Sequence, residues 1–213
     1  MDVHTSPASD LPDLPDLPDP SALLPLAERL RALPPSCGQV RLVAVDGHAG
    51  SGKTTFARLL ARALGGAPVV HLDDLATHDG LFAWTAALHE QVLEPLEHGE
   101  AGRYAVYDWT ARRFGAEPRE VPCAPVVVVE GVGAGRRAVR PRLAGLLWME
   151  LGRGAAWARG LRRDGPQQQG FWQGWMRAEE EHFAADPSRP YADLLVRQGR
   201  VGYEVLPGPA VRT

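Results

Sequence analysis

The run from Val40 to Thr55 constrains this chain more than any other: Val-Arg-Leu-Val-Ala-Val-Asp-Gly-His-Ala-Gly-Ser-Gly-Lys-Thr-Thr. Its first half is β-rich, and its middle reads Gly47-x-x-x-x-Gly52-Lys53-Thr54. Phe56, Leu59, Leu60 and Leu64 follow at helical spacing before Gly65-Gly66 stops the pattern. A strand must therefore pass through a glycine-rich turn straight into a helix.

That succession is the P-loop pattern in its required context. A polyphosphate needs several backbone N–H groups aimed into one concavity, which forces conformations and close approaches that side chains would block. Gly47, Gly50 and Gly52 supply that freedom. The free N–H groups at the helix start, with the helix dipole, add anion affinity. The predicted nucleotide-binding residues are thus Gly47, His48, Ala49, Gly50, Ser51, Gly52, Lys53, Thr54 and Thr55. Lys53 is expected to reach the β and γ phosphates of ATP, and the Thr54 hydroxyl to bind the Mg²⁺ that bridges them. Lys53 is also the only lysine in the chain, in a protein that otherwise uses arginine. A compact, flexible point charge suits phosphate differently from a planar guanidinium.

At 213 residues the chain is expected to form one domain over residues 21–213, with a small lid at about 153–166. A net charge of −3 gives no general reason to expect nucleic-acid or anionic-membrane binding. The N-terminus has no basic and apolar signal pattern, and the longest apolar run, near Pro125 to Val129, is too short to span a bilayer. Cys37 and Cys123 have no metal-ligand spacing, so a reduced, cytoplasmic protein is expected. Residues 1–20 repeat Leu-Pro-Asp, which excludes both helix and sheet ladder and predicts an extended or disordered leader.

The remaining chain alternates strands with helices. A helix capped by Ser21 and ended by Pro34-Pro35 precedes the first strand, Val40 to Val45. Strands are predicted at Pro68 to Leu72, Val126 to Val129, Leu146 to Leu151 and Ala192 to Val196, with Val201 to Leu206 as an antiparallel edge. Helices are predicted at Leu81 to Glu97, interrupted near Pro95, at Arg153 to Arg163 and at Phe171 to Ala185. Arg103 to Val121 reads as a short hairpin or long loop. The pattern predicts an α/β fold, a doubly wound parallel five-stranded sheet. Ligands in such sheets bind beyond the carboxyl ends of the strands. Gly47 to Thr54, Asp73-Asp74 and Glu130-Gly131 all fall there.

Asp73 is the candidate base for an attacking hydroxyl, and Asp74 a candidate holder of metal-bound water. Glu130 ends a run of four valines, where an acid can orient Mg²⁺. Arg159, Arg162 and Arg163 on one short helix can close over a triphosphate and offset charge developing on the transferred phosphoryl group. Trp172 and Trp175, at helical spacing, read as core.

Together these pieces resemble the uridine kinase-like branch of the P-loop nucleoside and small-molecule kinases. The resemblance runs from about Val40 to Val196 through Asp46 to Thr55, Asp73-Asp74, Tyr107-Asp108-Trp109, Glu130-Gly131 and Arg159 to Asp164. It implies a γ-phosphoryl transfer from Mg-ATP to a hydroxyl of a small molecule, with Asp73 as base. It also implies an acceptor site near Asp79, Tyr107 and Trp109. Arg112 stands where uridine kinases carry a base-reading histidine, and Leu75 and Ala76 replace the usual aromatics. An acceptor bearing phosphate or carboxylate would suit Arg112. The competing readings are a nucleotide-hydrolysing regulator and a non-catalytic nucleotide-binding module. A guanine-specific switch is disfavoured, because the chain has no asparagine for its base-reading motif.

Overall fold

The computed structural model describes residues 19–210. The Leu-Pro-Asp leader, apart from its last two residues, lies outside them. Asp19 caps the first turn, a 3₁₀ segment at Pro20–Leu23, accepting the Ser21 N–H at 2.8 Å and the Ser21 hydroxyl at 2.6 Å. Ser21 is thus the donor rather than the expected cap. Pro20, with φ fixed and no N–H to satisfy, opens the turn one residue early. Helix α1 (Leu24–Arg31) follows.

The main sheet holds β1 (Arg41–Asp46), β2 (Val69–His71), β5 (Val126–Glu130), β6 (Gly145–Met149), β7 (Leu194–Gln198) and β8 (Tyr203–Pro207), in spatial order β2-β5-β1-β6-β7-β8. The first five in that order are parallel, and β8 adds an antiparallel edge. Strands β3 (Gly102–Asp108) and β4 (Arg113–Val121) form a separate antiparallel hairpin, the firmer of the two alternatives for that stretch.

Both faces of the sheet are covered, so its central strands can be apolar throughout. Val43 and Val45 of β1 and Val128 of β5 pack with Leu26 and Leu30 of α1 and Phe56 and Leu60 of α2 (Lys53–Ala63). Leu42, Ala44, Val127 and Val129 point the other way, against Leu88, Val92 and Leu96. These three lie on a helical run composed of α3 (Thr85–Leu88), a π-helical turn (His89–Leu93) and α4 (Glu94–Glu97). It starts at Thr85 rather than Leu81. Pro95 cannot donate to the carbonyl of Gln91, and the wider turn preceding it relieves the clash of its ring with that carbonyl.

Helix α2 leaves β1 on one face, whereas Ala134, Val139 and Leu143 after β5 pack on the other. Neighbouring strands that connect to opposite faces leave a crevice at their carboxyl ends. Helices α5 (Arg153–Asp164) and α6 (Gln169–Ala185) stand over it. No helix among the described residues is long and apolar enough to cross a membrane.

One buried carboxylate frames this crevice. Asp46, fully buried at the end of β1, accepts the N–H groups of Gly47 at 2.6 Å, Gly133 at 2.9 Å and Gly135 at 2.8 Å. The Gly-x-Gly after β5 is therefore a wrapping for Asp46. Asp46→Ala strands these three donors, each worth about 1–3 kcal/mol when left unsatisfied, and should cost about 3 kcal/mol or more of unfolding free energy. Urea denaturation checks this, and a loss below about 1 kcal/mol would mean that water takes the carboxylate's place.

Candidate active site

The loop after β1, the turn after β2, the end of β5 and helices α5 and α6 enclose a cleft of about 720 Å³. The loop from Gly47 to Gly52 is shaped by its surroundings as well as by its glycines. Gly50 has φ +81°, and a Cβ there would run into the carbonyl oxygen of Ala156 on α5. Gly52, at φ +95°, precedes α2 in the left-handed region, and a Cβ there would meet the guanidinium of Arg159. The N–H groups of the first turn of α2 have no intrahelical acceptor. Lys53, nearly buried, donates from Nζ to the carbonyl oxygens of Gly47 at 2.9 Å and His48 at 3.0 Å. A bare-backbone concavity, a helix N-terminus and a held ammonium fit a polyphosphate.

Thr54 lies one residue further on, and its hydroxyl donates to Glu130 Oε1 at 3.0 Å. The same oxygen meets His71 Nδ1 at 2.6 Å. Burial alone would lower the pKa of His71, but Glu130 and Asp74 hold it above its ordinary value. Thr54 and Glu130 are hard oxygen donors beside the phosphate loop. That pair fits Mg²⁺, which takes few protein ligands and completes its shell with phosphate and water.

The two neighbouring aspartates part company in the 3₁₀ turn Leu72–Asp74. Asp73 lines the cleft. Asp74 is drawn away from it: its Oδ2 accepts from Tyr104 Oη at 3.0 Å and from Arg119, so it anchors the β3–β4 hairpin. Of the three residues expected at a metal, Thr54 and Glu130 line the cleft and Asp74 does not. Solvent reaches Asp73 through the cleft mouth, yet the surrounding walls, and next the charge of Glu130, push its pKa up to about 6.

Arg159 and Arg163, four residues apart on α5, both line the cleft. Arg159 is steadied by Gln198 Oε1 at 2.9 Å, and Arg163 by two contacts to Asp164, at 2.6 and 3.0 Å. Arg162, offset on the helix, is exposed and does not line it.

The residues expected around an acceptor divide in the same way. Trp109 lines the cleft and donates from Nε1 to the Asp73 carbonyl at 3.1 Å. Tyr107 stands behind, its hydroxyl 3.0 Å from His78 Nδ1, and His78 lines the cleft with its ring centroid 4.9 Å from that of Trp109. Phe171 closes this aromatic chamber, 5.8 Å from Trp109. Arg112 is not part of it. It occupies the β3–β4 turn at φ +53°, exposed, with Asp108 tying down the N–H groups of Thr110 and Ala111. Asp79 sits exposed in the turn bridged by Thr77 and Gly80 and does not line the cleft.

Two contributors escape sequence reasoning. His78 is one, hidden as a single polar loop residue beside Asp79. Glu179 on α6 is the other: fully buried, it binds His48 Nδ1 at 2.7 Å and the Ala49 N–H at 3.1 Å. Burial would raise its pKa, but these contacts, with Lys53 and Trp175, bring it below the ordinary glutamate value.

A central parallel sheet, a P-loop after its first strand and a cleft shared by Lys53, Asp73, Glu130, Arg159 and Arg163 define the P-loop kinase fold. Two solved structures share it. One, described as a possible uridine kinase from Bacillus stearothermophilus, is 18% identical over 82% of this chain and 97% of its own, with a TM-score of 0.60. The other, a candidate fructose transport system kinase from Silicibacter sp. TM1040, is 22% identical over 76% of this chain and 88% of its own, with a TM-score of 0.52. At these identities the likeness defines the fold. No family model and no curated protein matches the chain.

The raised pKa of Asp73 has a consequence for stability. Its folded value, about 6, lies above the ordinary 3.8, so the folded protein holds this proton more tightly and ionised Asp73 disfavours folding. The penalty grows between these two values and is constant above them, reduced by the solvent at the cleft mouth. Asp73→Asn should therefore melt higher than wild type at about pH 8 and level with it near pH 4. Calorimetry at both values checks this, and a variant no more stable at the higher pH would mean that solvent reaching this exposed carboxylate cancels the effect of the cleft walls.

Proposed function

We propose that this protein is an ATP-dependent phosphotransferase that moves the γ-phosphoryl group of Mg-ATP to a hydroxyl of a small molecule. The reading rests chiefly on one cleft that brings Asp73 together with Lys53, Thr54, Glu130 and an aromatic chamber. When bound, Mg-ATP supplies the transferable phosphoryl group and the cation that shields its charge.

The chain's own residues do the positioning, which is most of what phosphoryl transfer asks of a protein. The N–H groups at the start of α2 and Lys53 Nζ hold the phosphates. Thr54 and Glu130 offer oxygens to the cation. Asp73 takes the proton from the acceptor hydroxyl, and a pKa near neutrality suits a general base. Arg159 and Arg163 offset charge on the equatorial oxygens of the moving group.

His78, Trp109 and Phe171 offer ring faces and edges to a flat or ring-shaped acceptor. With Arg112 in the hairpin turn, the argument for an anionic acceptor loses its support, and a hydroxylated ring, nucleoside or sugar, fits better. Both structural relatives carry names that point to such substrates.

The direct test measures ADP release from Mg-ATP across nucleosides, sugars and hydroxy acids. Release that is indifferent to every acceptor would favour the hydrolysing regulator instead. Lys53→Ala should abolish turnover in a folded protein, and Asp73→Asn should lower kcat by about 10²- to 10⁴-fold while ATP still binds. With an acceptor identified, Trp109→Ala should raise its KM about tenfold or more, as stacked aromatic contacts are worth on the order of 1 kcal/mol or more beyond burial. Arg112→Ala should leave that KM unchanged; a large rise would bring the hairpin turn back into the acceptor site.

A further inference from the structure

Glu179 is a buried carboxylate bonded to no ammonium or guanidinium. Its four hydrogen bonds come from three different elements. Oε1 meets His48 Nδ1 at 2.7 Å and accepts from Trp157 Nε1 on α5 at 3.1 Å. Oε2 accepts the Ala49 N–H at 3.1 Å and Trp175 Nε1, one turn back on α6, at 3.0 Å. His48 is wedged further between Trp148 and Phe183, with ring centroids 5.4 and 5.3 Å away. An isolated buried charge costs several kcal/mol, and full satisfaction by donors is what makes it tolerable.

The placement matters more than the count. His48 and Ala49 lie inside the loop, between its first and second glycines, where the backbone is most free to rearrange. Glu179 does not line the cleft and so cannot touch a phosphate there. It grips the loop from behind, consuming the Ala49 N–H, while the Ser51 N–H turns back to the His48 carbonyl at 3.0 Å. Through Trp157 and its own helix, it also binds that loop to both lid helices.

The geometry points to Glu179 as the positioning residue of the phosphate loop, setting its affinity for polyphosphate and tying it to α5 and α6. This rests on the reading of the loop as a polyphosphate site. No residue of the loop pattern signals the tie, because the partner lies about 130 positions away.

The test is calorimetric titration of the full chain with Mg-ATP and with inorganic tripolyphosphate. Glu179→Gln keeps the shape but turns an amide N–H₂ towards donors. It should weaken both ligands about tenfold to a hundredfold and by similar factors, since the loop reads phosphate alone. A role confined to holding the fold would lower the melting temperature and leave the dissociation constants of the folded variant alone, and that result overturns the inference. Where Glu179→Gln fails to fold, His48→Ala removes the 2.7 Å contact together with the ring packing on Trp148 and Phe183, leaves Glu179 in place, and should still weaken tripolyphosphate severalfold. Wild-type affinity in that variant likewise overturns it. In the wild type the indole N–H resonances of Trp157 and Trp175 should move on adding tripolyphosphate, and resonances unmoved despite binding would count against the tie to the lid. A wild type that binds neither ligand overturns the polyphosphate reading itself, a result distinct from unaltered binding in the variants.

Discussion

A loop that offers bare N–H groups to an anion cannot hold its shape with those same groups. Something outside must hold it, and here two buried carboxylates do. Asp46 takes the N–H of Gly47 at the loop's entrance and those of Gly133 and Gly135 opposite. Glu179 takes the N–H of Ala49 and the ring of His48 in its middle. Between these fixtures and the first turn of α2, the remaining donors have little choice of direction. Each acid is costly to bury, and each is made tolerable by donors the loop would otherwise leave unpaired. The two acids thereby tie the loop to the segment after β5 and to helices α5 and α6.

Local pattern and long-range geometry divide sharply in how far the sequence reveals them. The five parallel strands, the antiparallel edge and the strand–loop–helix at Gly47 to Thr54 follow from periodicity and glycine placement over short windows. So does the convergence of Lys53, Thr54, Asp73 and Glu130, since strand ends in a parallel sheet share one rim. The choice between Asp73 and Asp74 is not local: it turns on Tyr104 and Arg119, which capture Asp74 from the hairpin. Arg112 illustrates the same limit. Its neighbourhood in sequence is that of Tyr107 and Trp109, yet in the turn at φ +53° Arg112 is exposed, and it is Trp109 and Thr110 of the hairpin tip that line the cleft. His78 and Glu179 are single residues whose meaning comes wholly from partners 29 and 130 or more positions away.

The cleft also gathers charge of both signs in one place. Asp73 and Glu130 face the same space as Lys53 and the two lid arginines. The cleft walls first, and then the charge of Glu130, raise Asp73 towards neutrality, and Lys53 and His71 only partly counter this. Such crowding is unfavourable in the free protein and becomes useful when a polyanion and a divalent cation enter together. On the far side the charge gives way to ring faces from His78, Trp109 and Phe171. Asp73 stands at the boundary between the two halves, its backbone carbonyl held by the indole of Trp109. The hairpin that carries Trp109 is anchored in turn by Asp74. The adjacent aspartates thus part: Asp74 fixes the hairpin wall of the aromatic chamber, and Asp73 lines the cleft beside it.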